Sequence, residues 1–158
     1  MGYNTAIDGT NITISNGAGF QQIAASGVNN PTSFLPDIFF GGANVGISYI
    51  TQSGTWQSIT NNLVYCTGLL ELISKGTSTG VATIALPQTA SNTLVPSRLG
   101  IYCINLSVGF ASTFILAQTI SNTTTASLAK GNGITSTAMT DADFTNSSAI
   151  YYEGLFFK

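Results

Sequence analysis

The run from Leu63 to Ile73, LVYCTGLLELI, constrains the fold more than any other part of the sequence. In an extended strand, successive side chains point to opposite faces. One face of this run would carry Val64, Cys66, Gly68, Leu70 and Leu72, and the other Leu63, Tyr65, Thr67, Leu69, Glu71 and Ile73. A strand with one solvated face alternates apolar with polar residues, whereas this run is largely apolar on both sides. We therefore expect both faces of the strand to be covered.

Two later runs repeat this pattern. Leu99 to Val108 is apolar on one face and mixed on the other, and Ile150 to Phe157 is apolar on both faces, which predicts a central strand. In a β-sandwich, the partner sheet covers only one face of each sheet. The remaining candidate for covering the second face is another copy of the chain.

Several shorter runs and turns complete the predicted fold. No segment has a helical period, and the runs recur roughly every 8–12 residues, which is typical of an all-β protein. We predict an antiparallel β-sandwich of jelly-roll type that forms a homotrimer, with residues 1–36 as a connector of one or two short strands and residues 37–158 as the head domain. The shorter predicted strands are Asn11–Ser15, Ile47–Ile50, Thr55–Ile59, Val81–Leu86, Thr113–Ile120 and Ala126–Lys130, with turns at Asn61–Asn62 and Gly131–Gly133.

Charge and cysteine content exclude several functions. Only 6% of the residues are charged, and the four cations form no cluster, so we expect no nucleic-acid partner. The chain lacks any apolar run of about 18 residues, so we expect no membrane insertion. It contains no histidine, which removes Ser-His-Asp and Cys-His catalysis and histidine-based metal sites. We expect no cofactor and no metal. We expect Cys66 and Cys103 to be buried free thiols, with a disulfide between them as the alternative.

A series of short motifs extends over residues 35–158. They are FFGGANVGISY (Phe39–Tyr49), TQSGTW (Thr51–Trp56), NLVY (Asn62–Tyr65), SKGTSTG (Ser74–Gly80), IALP (Ile84–Pro87) and TDADFTN (Thr140–Asn146), followed by the final aromatic strand. Together they resemble the C-terminal head or receptor-binding domains of trimeric fibres in bacteriophages and related viruses. Gln57–Thr60 departs from that pattern, where the family usually has a basic residue and an Ile-Gly-Asn turn. C1q-like or TNF-like jelly-roll trimers are a second resemblance, but the collagen-like Gly-X-Y repeat that often precedes them is missing here.

The resemblance implies a β-sandwich that trimerises at the virion surface and binds a host cell-surface glycan or protein receptor. This agrees with the apolar faces, since a trimer would cover them. The predicted trimer interface consists of Leu63, Tyr65, Leu69, Tyr151 and Phe157.

Four residues are candidates for ligand binding, each with an alternative role. Trp56 offers a flat ring on which a sugar could stack, but a lone tryptophan is usually buried in a core or interface. Asp141 and Asp143 could hydrogen-bond sugar hydroxyls or bind Ca²⁺, but the Thr140-x-x-Asp143 spacing is typical of a turn cap. Asn132 belongs to a polar loop, and polar loops on a rigid β-scaffold commonly carry recognition.

We expect no enzymatic activity. A glycosidase needs two carboxylates about 5–9.5 Å apart, and the candidate pair Glu71 and Glu153 lies on predicted strands, where each acid could instead meet a cation across a trimer interface. Three alternatives to an attachment role remain open: a purely structural trimerisation domain, a capsid-associated jelly roll without ligand, and a C1q-like binding domain.

Overall fold

A computed structural model describes residues 4–8, 11–15, 20–24, 30–92, 95–107, 114–132 and 134–158. The chain divides into two compact units, Met1–Asn30 and Pro31–Lys158. The sequence analysis set the division at residues 36 and 37. It falls earlier because strand β4 (Thr32–Phe34) already pairs with β6 (Ile47–Ser58) of the second unit.

The first unit is a three-stranded antiparallel sheet. Its strands are β1 (Asn4–Asp8), β2 (Asn11–Ser15) and β3 (Phe20–Ala24), in the order β1-β2-β3. The predicted strand Asn11–Ser15 is confirmed, and it lies between two neighbours where the sequence analysis expected one or two strands in all.

The second unit is a curled antiparallel sheet of ten strands, which confirms the all-β class. The strand order is β4-β6-β7-β13-β9-β10-β11-β8-β5, with β12 paired to β11. Besides β4 and β6, the strands are β5 (Ile38–Phe40), β7 (Leu63–Lys75), β8 (Ala82–Ala85), β9 (Arg98–Ile104), β10 (Phe114–Thr119), β11 (Thr125–Gly131), β12 (Ser136–Ala138) and β13 (Ala149–Phe157). The one helical element in the described ranges is a 3-10 turn, Asp141–Asp143, so none of their helices is long enough to span a bilayer.

The two strands predicted at Ile47–Ile50 and Thr55–Ile59 form one long strand, β6. Its register against β7 shifts on both sides of Tyr49, so the period-2 pattern is interrupted although the pairing continues. The predicted hairpin between β6 and β7 is confirmed. Two ends of predicted strands, Val108 and Thr113, lie outside the described residues.

Strand β13 is central, as predicted. All nine of its residues pair with β7, and Ala149–Glu153 also pair with β9 on the other side. Both long edges of the strand are therefore paired within the sheet.

Only two residue pairs join β9 to β10, Leu99 with Ala117 and Arg98 with Gln118. The concave side encloses one hydrophobic core, and the Tyr152 hydroxyl crosses it to donate a hydrogen bond to the Ala85 carbonyl at 2.9 Å. The largest fully buried core side chains include Phe40, Phe144, Phe156, Leu70, Leu72, Ile84, Leu128 and Ile150.

Strand β5 ends the sheet, and its free edge is capped by local groups. Phe40 exchanges both backbone hydrogen bonds with Ala43. The Ile38 amide donates to Asp37 Oδ1 at 2.8 Å, and the Tyr49 hydroxyl donates to the same carboxylate. Burial and this hydrogen bond raise the pKa of Tyr49 above its ordinary value. An edge that is satisfied in this way offers few backbone groups to another strand.

Candidate functional site

The convex side of β6, β7, β13 and β9 forms one continuous surface, which we call the outer face. Register fixes its members: Leu69 lies opposite Tyr151, which lies opposite Tyr102 on the far side of β13. Alternate residues of β7 are buried, from Val64 to Leu72, while those between them are only half-buried. The prediction of two largely apolar faces on this strand therefore holds, and one face is not covered by other described segments.

Two apolar clusters lie on the outer face. We call Leu63, Tyr65, Leu155 and Phe157 the end cluster, and Leu69, Tyr102 and Tyr151 the tyrosine cluster. Tyr102 is 63% exposed, Tyr151 39%, Leu155 47% and Phe157 51%. The rings of Tyr102 and Tyr151 pack at a centroid distance of 6.1 Å and an angle of 44°, a tilted geometry that aromatic pairs favour. All five predicted interface residues belong to these two clusters.

Tyr102 and Leu155 are further members that the sequence analysis did not assign to the interface. The period-2 alternation from Tyr151 to Phe157 contained the signal for Leu155. Tyr102 is placed beside Tyr151 by the pairing of β9 with β13, which the sequence does not reveal.

A concavity of about 510 Å³ lies on the outer face, between the two clusters. Its walls include the tyrosine cluster and four polar side chains, Ser53, Thr55, Thr67 and Glu153. Gly100, which lies opposite Glu153, leaves part of the floor without a side chain. The concavity thus combines exposed aromatic rings with hydroxyl and carboxylate acceptors.

Aromatic side chains of the core support the glycines of the floor from within. The Tyr152 ring lies against Gly68, where a Cβ atom would come within 2.3 Å of it, and the Phe34 ring lies against Gly54, at 2.5 Å. Each ring fills the space that a side chain would occupy on the core side.

The charged side chains of the outer face are two acids and one cation. Glu71 accepts a hydrogen bond from the Thr51 hydroxyl, and Glu153 accepts one from Tyr65 at 3.1 Å. That bond is the main reason why the pKa of Tyr65 is raised. Arg98 is exposed at the start of β9 and lies on the same face of that strand as Gly100 and Tyr102.

Glu71 and Glu153, the candidate glycosidase pair, lie at different positions along the outer face. Glu153 pairs with Thr67, four residues along β7 from Glu71, which corresponds to roughly 14 Å between their α-carbons. Each carboxylate is also hydrogen-bonded to a different neighbour, Glu71 to Thr51 and Glu153 to Tyr65.

Trp56 lies on the concave side of the sheet. It pairs with Cys66 on β7 and with Thr32 on β4, and its half-buried side chain packs against the core. This is the core placement that the sequence analysis weighed against sugar stacking.

Asp141 and Asp143 form the 3-10 turn and are engaged within the fold. The Gly80 amide donates to Asp141 Oδ1 at 2.8 Å, and the Thr140 amide donates to Asp143 Oδ2 at 3.0 Å. Asp143 is buried and also forms an ion pair with Lys130. The hydrogen bond from the Thr140 amide to Asp143 is the turn cap that the sequence predicted. Within the ranges that the structure describes, no three acidic or cysteine side chains converge into a metal-binding group.

Asn132 begins the loop between β11 and β12. Its Oδ1 accepts hydrogen bonds from the amides of Ile134 and Thr135, at 3.2 and 3.1 Å, and so holds the loop in shape. Lys130 links this end of β11 to Asp143. The structure thus brings Asn132, Asp141 and Asp143 to one end of the unit and places Trp56 in another environment.

Cys66 and Cys103 are free thiols on strands β7 and β9. Their partners on the intervening β13 are Gly154 and Ile150, four residues apart, so the two α-carbons are separated by more than the roughly 7 Å that a disulfide allows. Burial raises the pKa of each thiol to about 12.

Comparisons with protein-family models, with curated proteins and with solved structures found no match for this chain.

Proposed function

We propose that this chain is the head domain of a viral or phage fibre: a jelly-roll β-sandwich that trimerises through its outer face and attaches to a host cell-surface receptor, in the first place a glycan. It would act at the surface of the virion. The observation that carries the proposal is the exposure of two apolar clusters on a face of the sheet that no other described segment covers.

The extent of the outer face supports an assembled state. Four strands of about nine residues span roughly 600 Å² in projection. The largest apolar patch of a typical monomer is about 300–600 Å² of accessible surface, and a stable interface buries about 800 Å² on each partner. A corrugated surface has more accessible area than its projection, so the outer face is of the size that a protein partner covers.

A second copy of the chain is the partner that the charges favour. The outer face carries both signs, with Glu71 and Glu153 against Arg98, so the acids of one copy can meet the cation of the next. In a closed ring, the outer face of every copy is covered by a neighbouring copy in the same way. A trimer is the closed ring that the resemblance to fibre heads implies.

Solution mass tests the assembly. We expect light scattering to give three times 16.4 kDa, and we expect Leu69→Asp to dissociate the trimer or to aggregate, because it places a charge among the outer-face side chains. Ala138→Asp is the matched control, because Ala138 is exposed on β12, which belongs to another part of the sheet. A monomeric wild type, or a Leu69→Asp variant that remains trimeric, would contradict the proposal.

The polar loops at the end of the unit that carries Asp143 are the proposed receptor surface. Ile134, at the β11–β12 loop, is 91% exposed, and Asn146 and Ser147 are exposed as well. Short amide and hydroxyl side chains around one exposed apolar group match the mixed surface of a saccharide.

Receptor binding is tested with the labelled trimer on a printed panel of bacterial and animal glycans and on whole cells. We expect Ile134→Asp to keep the trimer mass and the melting temperature and to lose binding. If the Ile134→Asp variant still binds, the receptor site does not include Ile134 and lies on another part of the surface. A trimer that binds neither glycans nor cells would favour the purely structural alternative.

A further inference from the structure

The concavity on the outer face has an unusual position, at the centre of the proposed trimer contact. Interface energy concentrates in a few central aromatic or arginine side chains that enter pockets on the partner. An unfilled concavity of about 510 Å³ would leave a void there, and protein interfaces pack about as densely as protein interiors.

The lining of the concavity selects a tyrosine. Its wall offers the apolar surfaces of Leu69 and Tyr151, while Thr55, Thr67 and Glu153 supply oxygen acceptors. The Thr55 and Thr67 hydroxyls lie 3.0 Å apart and share one hydrogen bond, which leaves lone pairs available. A phenylalanine would add no donor for their remaining lone pairs, whereas a phenol supplies one.

Tyr102 is the most exposed tyrosine of the outer face. Its ring also lines the concavity of its own chain and packs against Tyr151, so it must turn away from Tyr151 to enter a partner's concavity. It is 63% exposed, and its hydroxyl has no hydrogen-bond partner among the described residues. Tyr65 donates to Glu153 of its own chain, and Tyr151 is the more buried member of the ring pair.

We infer that the partner subunit's Tyr102 inserts its ring into the concavity over Gly100, and that this contact determines the register of assembly. The inference rests on the proposed function, because it requires the outer face to be the contact between copies. Gly100 is then a specificity-determining position: a side chain there would occupy the place of the incoming ring.

Gly100→Leu tests the site from the receiving side. A Cβ atom at Gly100 would meet only the Glu153 carbonyl oxygen, at 3.5 Å, which is an ordinary contact, so we expect the fold to tolerate the change. We expect the dissociation constant of the trimer to rise at least tenfold. Ala138→Leu adds a comparable bulk to an exposed strand position elsewhere and should leave the constant unchanged.

Tyr102→Ala tests the same contact from the inserting side, and we expect a similar loss. The decisive variant carries both changes: if the leucine fills the site that the ring vacates, Gly100→Leu with Tyr102→Ala should dissociate less than the two single effects predict. Tyr102 and Gly100 are also near neighbours within one chain, so the unfolding of the diluted monomer is measured in parallel. Coupling between copies appears only in the concentration-dependent dissociation.

The outcomes separate the inference from the proposal on which it rests. Additive effects of the two changes, or a Gly100→Leu trimer that dissociates like the wild type, would overturn the insertion of Tyr102 and leave the trimer standing. A wild type that is monomeric at all concentrations would overturn both.

Discussion

At the scale of single residues, the two strand glycines Gly68 and Gly100 have opposite surroundings. Gly68 faces the core, where the Tyr152 ring is held against it by the hydrogen bond to Ala85. Gly100 faces outward, with open space above it. Glycine is unfavourable in strands in general, so each must be explained by what lies beside it.

We expect Gly68→Ala to lower the free energy of unfolding by about 1–3 kcal/mol, because the new methyl group would overlap a ring that cannot move freely. Gly100→Ala should change it by no more than about 0.5 kcal/mol. Urea unfolding of both variants with the wild type measures the difference. If the two substitutions cost the same, the ring of Tyr152 does not fill the space beside Gly68.

At the scale of strands, β13 determines whether the curled sheet can form, because it separates and joins β7 and β9. A chain that lacks residues 150–158 loses both sets of ladder bonds together with the buried side chains of Ile150, Tyr152 and Phe156. Each such burial stabilises the fold by about 1.5–3 kcal/mol, and the sum approaches the whole stability of a typical domain. We expect the truncated chain to show neither a cooperative thermal transition nor the near-ultraviolet dichroism of the wild type. A truncated chain that melts cooperatively would contradict the central role of β13.

The strands that the sequence revealed most clearly are the long ones, since β7 and β13 are largely apolar runs of nine residues or more. The three-residue strands β4 and β5 were missed because they are too short to show a period. The hairpin predicted after Ala126–Lys130 is confirmed, since β12 pairs with β11. The order of the strands could not be predicted either. The neighbours of β13 are 74 residues and 45 residues earlier in the chain, counted from the end of each strand to Ala149.

The candidate site was predicted in part for the same reason. Alternation along a strand identified Leu63, Leu69 and Tyr151 as one apolar face, and the structure places them on the outer face. The concavity depends on glycines and threonines from four strands, and no local pattern brings Thr55, Thr67 and Gly100 together.

At the scale of the whole molecule, the buried ionisable groups make stability depend on pH. The pKa of the Cys66 and Cys103 thiols is about 12 in the folded protein against 9.0 when exposed, and burial also raises the pKa of Tyr152. Above pH 9 the unfolded chain loses protons that the folded chain retains, so the free energy of unfolding falls as the pH rises. Below pH 9 these groups are protonated in both states, so they do not make the free energy of unfolding depend on pH.

We therefore expect the stability to be flat around neutral pH and to decline from about pH 9 to 12, by up to about 1.4 kcal/mol per pH unit for each thiol. Urea unfolding at several pH values and one protein concentration measures this slope. Cys103→Ala removes one of the two thiols and should make the decline shallower. A wild-type stability that is constant up to pH 11 would show that the thiols are more accessible to water than their positions indicate.

Because β13 lies between β7 and β9 in the sheet but follows both in the chain, the sheet cannot be completed until β13 has been synthesised. During synthesis, β7 leaves the ribosome 74 residues before β13 begins, which takes about 4–15 s at ordinary elongation rates. Throughout that interval β7 has no neighbour on one edge, and its apolar side chains are exposed to other nascent chains. Cells that make this protein in quantity must keep those strands apart for several seconds, so we expect its yield to depend on chaperones that bind extended apolar segments and on the rate of translation.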